Sequence, residues 1–107
     1  MAMIPMEYYG GGLTTQYITS NEVASIAAGG TGTFSFTIPS KAGYTPVFIA
    51  IGNFVKTGVG AYPFIPLSVC QPLTSASQTW TAYGYNATTQ NLTNIAAHAT
   101  VLYQPID

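Results

Sequence analysis

Charge is what this chain has least of. Of its 107 residues 5% are charged, two of them basic and three acidic, for a formal net charge of -1 with one histidine, against roughly 25% in an ordinary soluble domain. The exterior must therefore be made polar by Thr, Ser, Asn, Gln and Tyr, or be buried against other copies. Without a basic field nothing draws in phosphates, which argues against nucleic acid or an acidic membrane as partner. The same scarcity empties the catalytic inventory. General acid–base chemistry needs at least two positioned titratable groups, and the stock is Glu7, Glu22, Asp107, Lys41, Lys56, His98 and Cys70, with Glu7 and Asp107 near the ends. The chain reads as a non-enzymatic protein without a cofactor. One His and one Cys cannot complete a tetrahedral zinc shell within one chain. Three copies could gather His98 on a three-fold axis, but a lone strand histidine is more often just hydrogen-bonded, so no metal is expected.

Cysteine is scarce too. Cys70 is the only one, which excludes an intrachain disulfide and the framework of many small secreted proteins. Its setting, Leu67-Ser68-Val69-Cys70, reads as strand, where a free thiol acts as a small buried hydrophobe. Long apolar runs are missing: none approaches the ~20 residues of a membrane helix, so membrane insertion is not expected. The first residues lack the basic stretch that opens a secretion signal, so export, if any, is expected by another route.

What is present is β-forming material, in a length that makes one domain. Hydrophobic residues reach 48% and aromatics 13%, eight of them Tyr. In Gly29–Ile51, Phe34, Phe36 and Ile38 alternate with Thr33, Ser35 and Thr37, the period of two that sends one set of side chains to a core and the other to water. Pro39 ends that ladder and Ser40-Lys41-Ala42-Gly43 supplies a turn. The chain then reverses into Val47-Phe48-Ile49-Ala50-Ile51, an apolar β-branched run read as a strand covered on both faces and hairpin-paired to the first. A second sheet, or another copy of the chain, must pack over this pair.

Residues 1–12 are apolar and then glycine-rich, and read as a flexible leader that either docks on another subunit or is an appended remnant; residues 13–107 form the domain. Leu13 to Ala28 carries two β-like pieces split by Ser20-Asn21, with a helical turn as the weaker alternative. Asn53 to Tyr62 reads as a loop with few restraints. Pro63 to Gln71 is an edge strand or a bulged one because of Pro66. Thr79 to Tyr85 alternates, with Tyr83 and Tyr85 on one face and Trp80 on the other. Asn86 to Asn94 is a polar loop whose two Asn-x-Thr patterns read as loop formers. In the last run Ile95, Ala97, Ala99, Val101 and Tyr103 share one face. Six or so short strands between Gly, Pro, Ser and Asn turns indicate an all-β fold, a single antiparallel β-sandwich of jelly-roll-like type. Because Val47 to Ile51 is apolar on both faces, self-association is expected, with Phe48, Val69 and Leu102 as interface candidates.

The pattern IAAGGTGTFSFTIPSKAGYTPVFIAI, a Pro-containing segment, and a closing strand HATVLYQPI resembles the small C-terminal head domains of phage and prophage fibre proteins from Gram-positive gut bacteria. The resemblance centres on Gly43-Tyr44-Thr45-Pro46 and covers most of Ala24 to Ile106. It implies a β-sandwich that forms a homotrimer in a virion, beside other virion proteins, and contacts a host-surface glycan or cell-wall polymer. Structural decoration of a capsid or tail is the second reading it allows.

The direction of the strands places the working surface. The loops Asn53 to Tyr62 and Asn86 to Asn94 follow strands running the same way, so they are expected at one end, with the turns Ser40 to Thr45 and Pro72 to Gln78 at the other. The first end is richer in adaptable hydrogen-bonding groups: Asn53, Lys56, Asn86, Gln90, Asn91 and Asn94, with Tyr62 and Tyr85 as stacking platforms. These eight are the candidate binding residues.

Overall fold

Alternation in the sequence becomes two antiparallel sheets packed face to face. The computed structural model describes residues 12–56, 60–62 and 64–106, the stretch 60–62 through its backbone. Nine strands follow in order: β1 (Thr14–Thr19), β2 (Val23–Ile26), β3 (Thr31–Thr37), β4 (Tyr44–Lys56), β5 (Gly60–Tyr62), β6 (Phe64–Pro66), β7 (Cys70–Pro72), β8 (Thr79–Asn86) and β9 (Leu92–Pro105). The larger sheet, A, runs β1-β9-β4-β5, with β2 also on β9 and β7 also on β4; the smaller, B, runs β3-β8-β6. The chain is an all-β sandwich.

β9 is the spine of sheet A. Its Ile95, Ala97, Ala99, Val101 and Tyr103 are all 0% exposed, because the alternation turns this whole face toward sheet B. Along one flank β1 pairs Thr14 to Tyr103 through Thr19 to His98, and β2 continues from Val23 opposite Ile95. Ser20 bridges the gap between them: its N–H donates to Ala97 O at 2.8 Å, and its Oγ accepts from Ala97 N at 2.9 Å. Next to it Asn21 reaches the other layer, with its Oδ1 accepting from Ser35 N at 2.7 Å. The Ser20-Asn21 break between two strands is thus a stitch joining the sheets.

Two expectations about Gly29 to Ile51 are corrected. β3 and β4 do not form a hairpin: β3 pairs with β8 in sheet B and β4 with β9 in sheet A, so Pro39 to Gly43 carries the chain across the sandwich. Pro39, with no N–H, stops the β3 ladder, and the Tyr103 hydroxyl donates to Pro39 O at 2.7 Å, fixing the crossover. Nor is Val47 to Ile51 covered on both faces within one chain. Ile49 is 0% exposed but Phe48 is 37% exposed, so the outer face of this strand is open within one chain.

The run around Pro66 is split between the layers: β6 is an edge strand on β8, and β7 an edge strand on β4. Cys70 is exposed, contrary to the buried reading. Its partner across the ladder is Ala50, which places both on the outer face of sheet A. The segment read as a loose loop, Asn53 to Tyr62, is mostly ladder, with Phe54, Val55 and Lys56 opposite Tyr62, Ala61 and Gly60.

The core holds two aromatic groups. Phe34, Phe54 and Phe64 meet at centroid distances of 5.1, 6.3 and 5.4 Å near the Lys56 end, and Phe36 stacks on Trp80 at 5.7 Å toward the other. Room for the first group comes from a cross-strand pair of glycines, Gly32 opposite Gly84. A Cβ on Gly84 would lie 2.8 Å from the Phe54 ring, and one on Gly32 would lie 2.4 Å from Ile26 Cδ1, closer than packed atoms tolerate.

Candidate functional site

The outer face of sheet A follows from the register. Phe48 lies beside Leu102 on one flank and Pro72 on the other, and Ala50 beside Thr100 and Cys70. Thr15 and Tyr17 extend this face from Leu102 and Thr100 across β1. Val69, whose carbonyl accepts from Ile51 N at 2.7 Å, precedes Cys70 where the chain enters β7. Of the three interface candidates, Phe48 and Leu102 are therefore brought to one surface, whereas Val69, opposite Ile51, alternates to the other side of the sheet edge. Leu13 is 55% exposed and Tyr17 60%. None of these residues carries a fixed charge.

At the centre of the face lies a polar cluster that the sequence does not announce. Tyr17 Oη donates to Asn53 Oδ1 at 3.1 Å and is hydrogen-bonded to His98 Nδ1, with the two rings edge-on at 4.8 Å. If the Tyr17 proton points to Asn53, then His98 Nδ1 must supply the proton to the tyrosine oxygen, leaving Nε2 as the outward group. Asn53 is thus on the sheet face, beside the β4 irregularity between Ile51 and Phe54, and not in an end loop. Tyr17 is 81 residues from His98, so no local pattern could have joined them.

The remaining binding candidates do gather at one end of the sandwich. Lys56 is opposite Ile95, Tyr85 opposite Thr31 and Ile65, and Asn86 opposite Phe64. Several of them are, however, occupied by the fold. Asn86 is 0% exposed; its Nδ2 donates to Ile26 O, Ala27 O and Gln90 O at 3.1, 3.2 and 2.9 Å. Its Oδ1 accepts from Thr88 N and Thr88 Oγ1 at 3.0 and 2.7 Å. Asn86 is a latch between loops, with no surface to offer a ligand, and its assignment as a binding residue is corrected. An Asn two residues before a Thr is an Asx-turn pattern, the one local signal that pointed to this role.

Asn91 is exposed, but its Oδ1 accepts from Ala28 N at 3.0 Å. Lys56 Nζ donates to Thr93 O and Oγ1 at 3.2 and 3.1 Å. Asn94 is exposed and takes a φ of 57°, a left-handed conformation that Asn tolerates better than most residues, so the backbone already gives this residue a task. Gln90 is exposed and Tyr85 half-buried; the Tyr62 side chain lies outside the described residues, as do Glu7, Asp107 and the leader up to residue 11. At the loop end Lys56, Asn86 and Asn91 are thus engaged within the fold, mostly with backbone groups. Sheet B presents outward Thr31, Thr33, Ser35 and Thr37 beside Thr79, Thr81 and Tyr83, a hydroxyl-rich surface. Two open concavities lie at the opposite end, around Ser75.

Among the described residues no three of His, Cys, Asp and Glu gather where they could hold one metal ion. Compared with known proteins, the chain matches no family model, no curated protein and no solved structure.

Proposed function

We propose that this chain is a non-enzymatic head module of a virion fibre, a homotrimer that attaches to a host-surface saccharide or cell-wall polymer. The observation that carries the reading is the outer face of sheet A, where Phe48, exposed at 37%, and Tyr17, exposed at 60%, lie among uncharged neighbours. Copies of a charged face repel one another, whereas an uncharged face with large apolar side chains gains by excluding water. Packing through a broad sheet face leaves both ends of the sandwich and the hydroxyl-rich surface of sheet B open to a second partner, which is the arrangement an attachment module needs.

The test uses fluorescently labelled protein incubated with purified cell walls of Gram-positive gut bacteria and, separately, with phage particles stripped of accessory proteins. Retention on cell walls is the expected result. Retention on particles alone would replace attachment by the decoration of a capsid or tail.

A further inference from the structure

At the end of the sandwich away from Lys56 the edge of β4 is uncovered. β7 is only three residues long and pairs with Phe48 to Ala50, so among the described residues the first residues of β4, paired with β9 on one side, have no strand on the other. The chain leaves β7 through Leu73, whose N–H donates to Val47 O at 2.9 Å, and the turn that follows swings across to sheet B. This leaves two concavities of about 390 and 270 Å³, and the larger falls in the usual range for small-ligand sites. They share Thr45, Pro46, Ser75 and Ile106 as a common wall, so they form one groove with two arms.

The groove is held open by its own turns. Ser77 N donates to Thr74 O at 3.0 Å, Thr74 N to Ser77 Oγ at 2.9 Å and Ala76 N to Thr74 Oγ1 at 3.2 Å. Across from it Ile106 N donates to Gly43 O at 2.9 Å, Tyr44 N to Lys41 O at 3.0 Å and Ile38 N to Gln78 O at 2.8 Å. Such a site needs little ordering when it is filled.

We infer that this groove is a saccharide subsite, taking a neutral sugar ring. The inference rests on the attachment reading and gives it a location. Hydroxyls of Thr74, Ser40 and Ser77 and the amides of Gln78 and Gln104 line the arms. Each of these groups both donates and accepts, as sugar hydroxyls do. Pro46 and Ile106 in the shared wall, and Tyr44 in the smaller arm, supply the apolar surface that the C–H face of a pyranose requires. The cation in the smaller arm, Lys41, has its Nζ 5.5 Å from the centre of the Tyr103 ring, so the groove meets its ligand mainly through uncharged groups. A peptide added as a further strand fits poorly, because β4 has a proline at 46 and a register shift between Pro46 and Phe48, which interrupt the ladder a new strand would copy.

The experiment is an NMR titration of isotope-labelled full chain with neutral oligosaccharides of glucose, galactose, rhamnose and N-acetylglucosamine, alongside the cell-wall retention assay. Ser75 is exposed and the turn's own hydrogen bonds run through Thr74, Ala76 and Ser77, so Ser75→Arg obstructs the shared wall with little risk to folding. Ser40→Arg, at an exposed turn position, narrows the smaller arm and serves as the second variant. The expected result is that at least one sugar shifts the amides of Thr45, Ser75 and Gln78, that either variant weakens binding at least tenfold, and that Tyr85→Ala and Asn91→Ala bind as the parent does. Shifts confined to residues 86–91, with both arginine variants unaffected, would overturn this location while leaving attachment standing. Retention on cell walls with no response to any neutral sugar would overturn the ligand class. Loss of both, in folded protein, would overturn the attachment reading itself.

Discussion

A single side chain ties the loop end of this molecule together. Asn86 Nδ2 has three carbonyls within hydrogen-bond distance for its two protons, while its Oδ1 takes both the backbone and the hydroxyl proton of Thr88. A net contribution of about 1 kcal/mol per buried bond, with desolvated partners left behind, puts Asn86→Ala at a loss of about 2–4 kcal/mol. Urea unfolding would measure it. Asn86→Asp should cost more at neutral pH, since an ionised carboxylate would face the carbonyls of Ile26, Ala27 and Gln90. That extra loss should shrink as the pH falls and the carboxyl regains a proton to donate. Equal stability of the Asn and Asp forms across pH would remove the latch from the account. An asparagine among turn formers reads as a solvated loop residue, yet in the fold five contacts from separate segments close on it. Gly84 was equally silent: its bareness is needed because Phe54, 30 positions away in the other sheet, comes to 2.8 Å of where a Cβ would be.

At the scale of strands, alternation was easy to read and partnership was not. The faces of β3, β8 and β9 follow from the period of two, as does the opposition of Trp80 to Tyr83 and Tyr85. Which strand lies beside which depends on contacts distant in sequence, so an apparent hairpin at Pro39 to Gly43 turned out to be a crossover between sheets. Tyr103 holds that crossover to β9. Its hydroxyl donates to Pro39 O at 2.7 Å, and burial raises its pKa above the ordinary value of 10.0. Well below pH 10 neither the folded nor the unfolded chain ionises this group appreciably. As the pH rises past 10 the unfolded chain loses the proton first, so its population grows and stability falls. Tyr103→Phe should lower stability by about 1 kcal/mol at neutral pH, and the gap to the parent should narrow in alkaline solution. A gap that widens with pH would contradict the assigned burial effect. Of the candidate site, the loop end was legible as a place, because strand direction alone positions it. Its chemistry was not, because Lys56, Asn86 and Asn91 find partners within the chain that no spacing foretells.

The whole molecule presents two unlike outer surfaces, one rich in Thr and Ser on sheet B and one with Phe48, Leu102 and Tyr17 on sheet A. With only 5% of its residues charged, the chain has few means of keeping the second surface apart from copies of itself, and assembly through it is the central claim made here. Light scattering coupled to size exclusion at micromolar concentration tests that claim directly, on the parent, on Phe48→Glu and on Tyr83→Glu. The parent and Tyr83→Glu should elute as particles of three 11.3 kDa chains, and Phe48→Glu, with a carboxylate set into the apolar face, as folded single chains. A parent mass of 11.3 kDa, or a Phe48→Glu protein that assembles as the parent does, would contradict it.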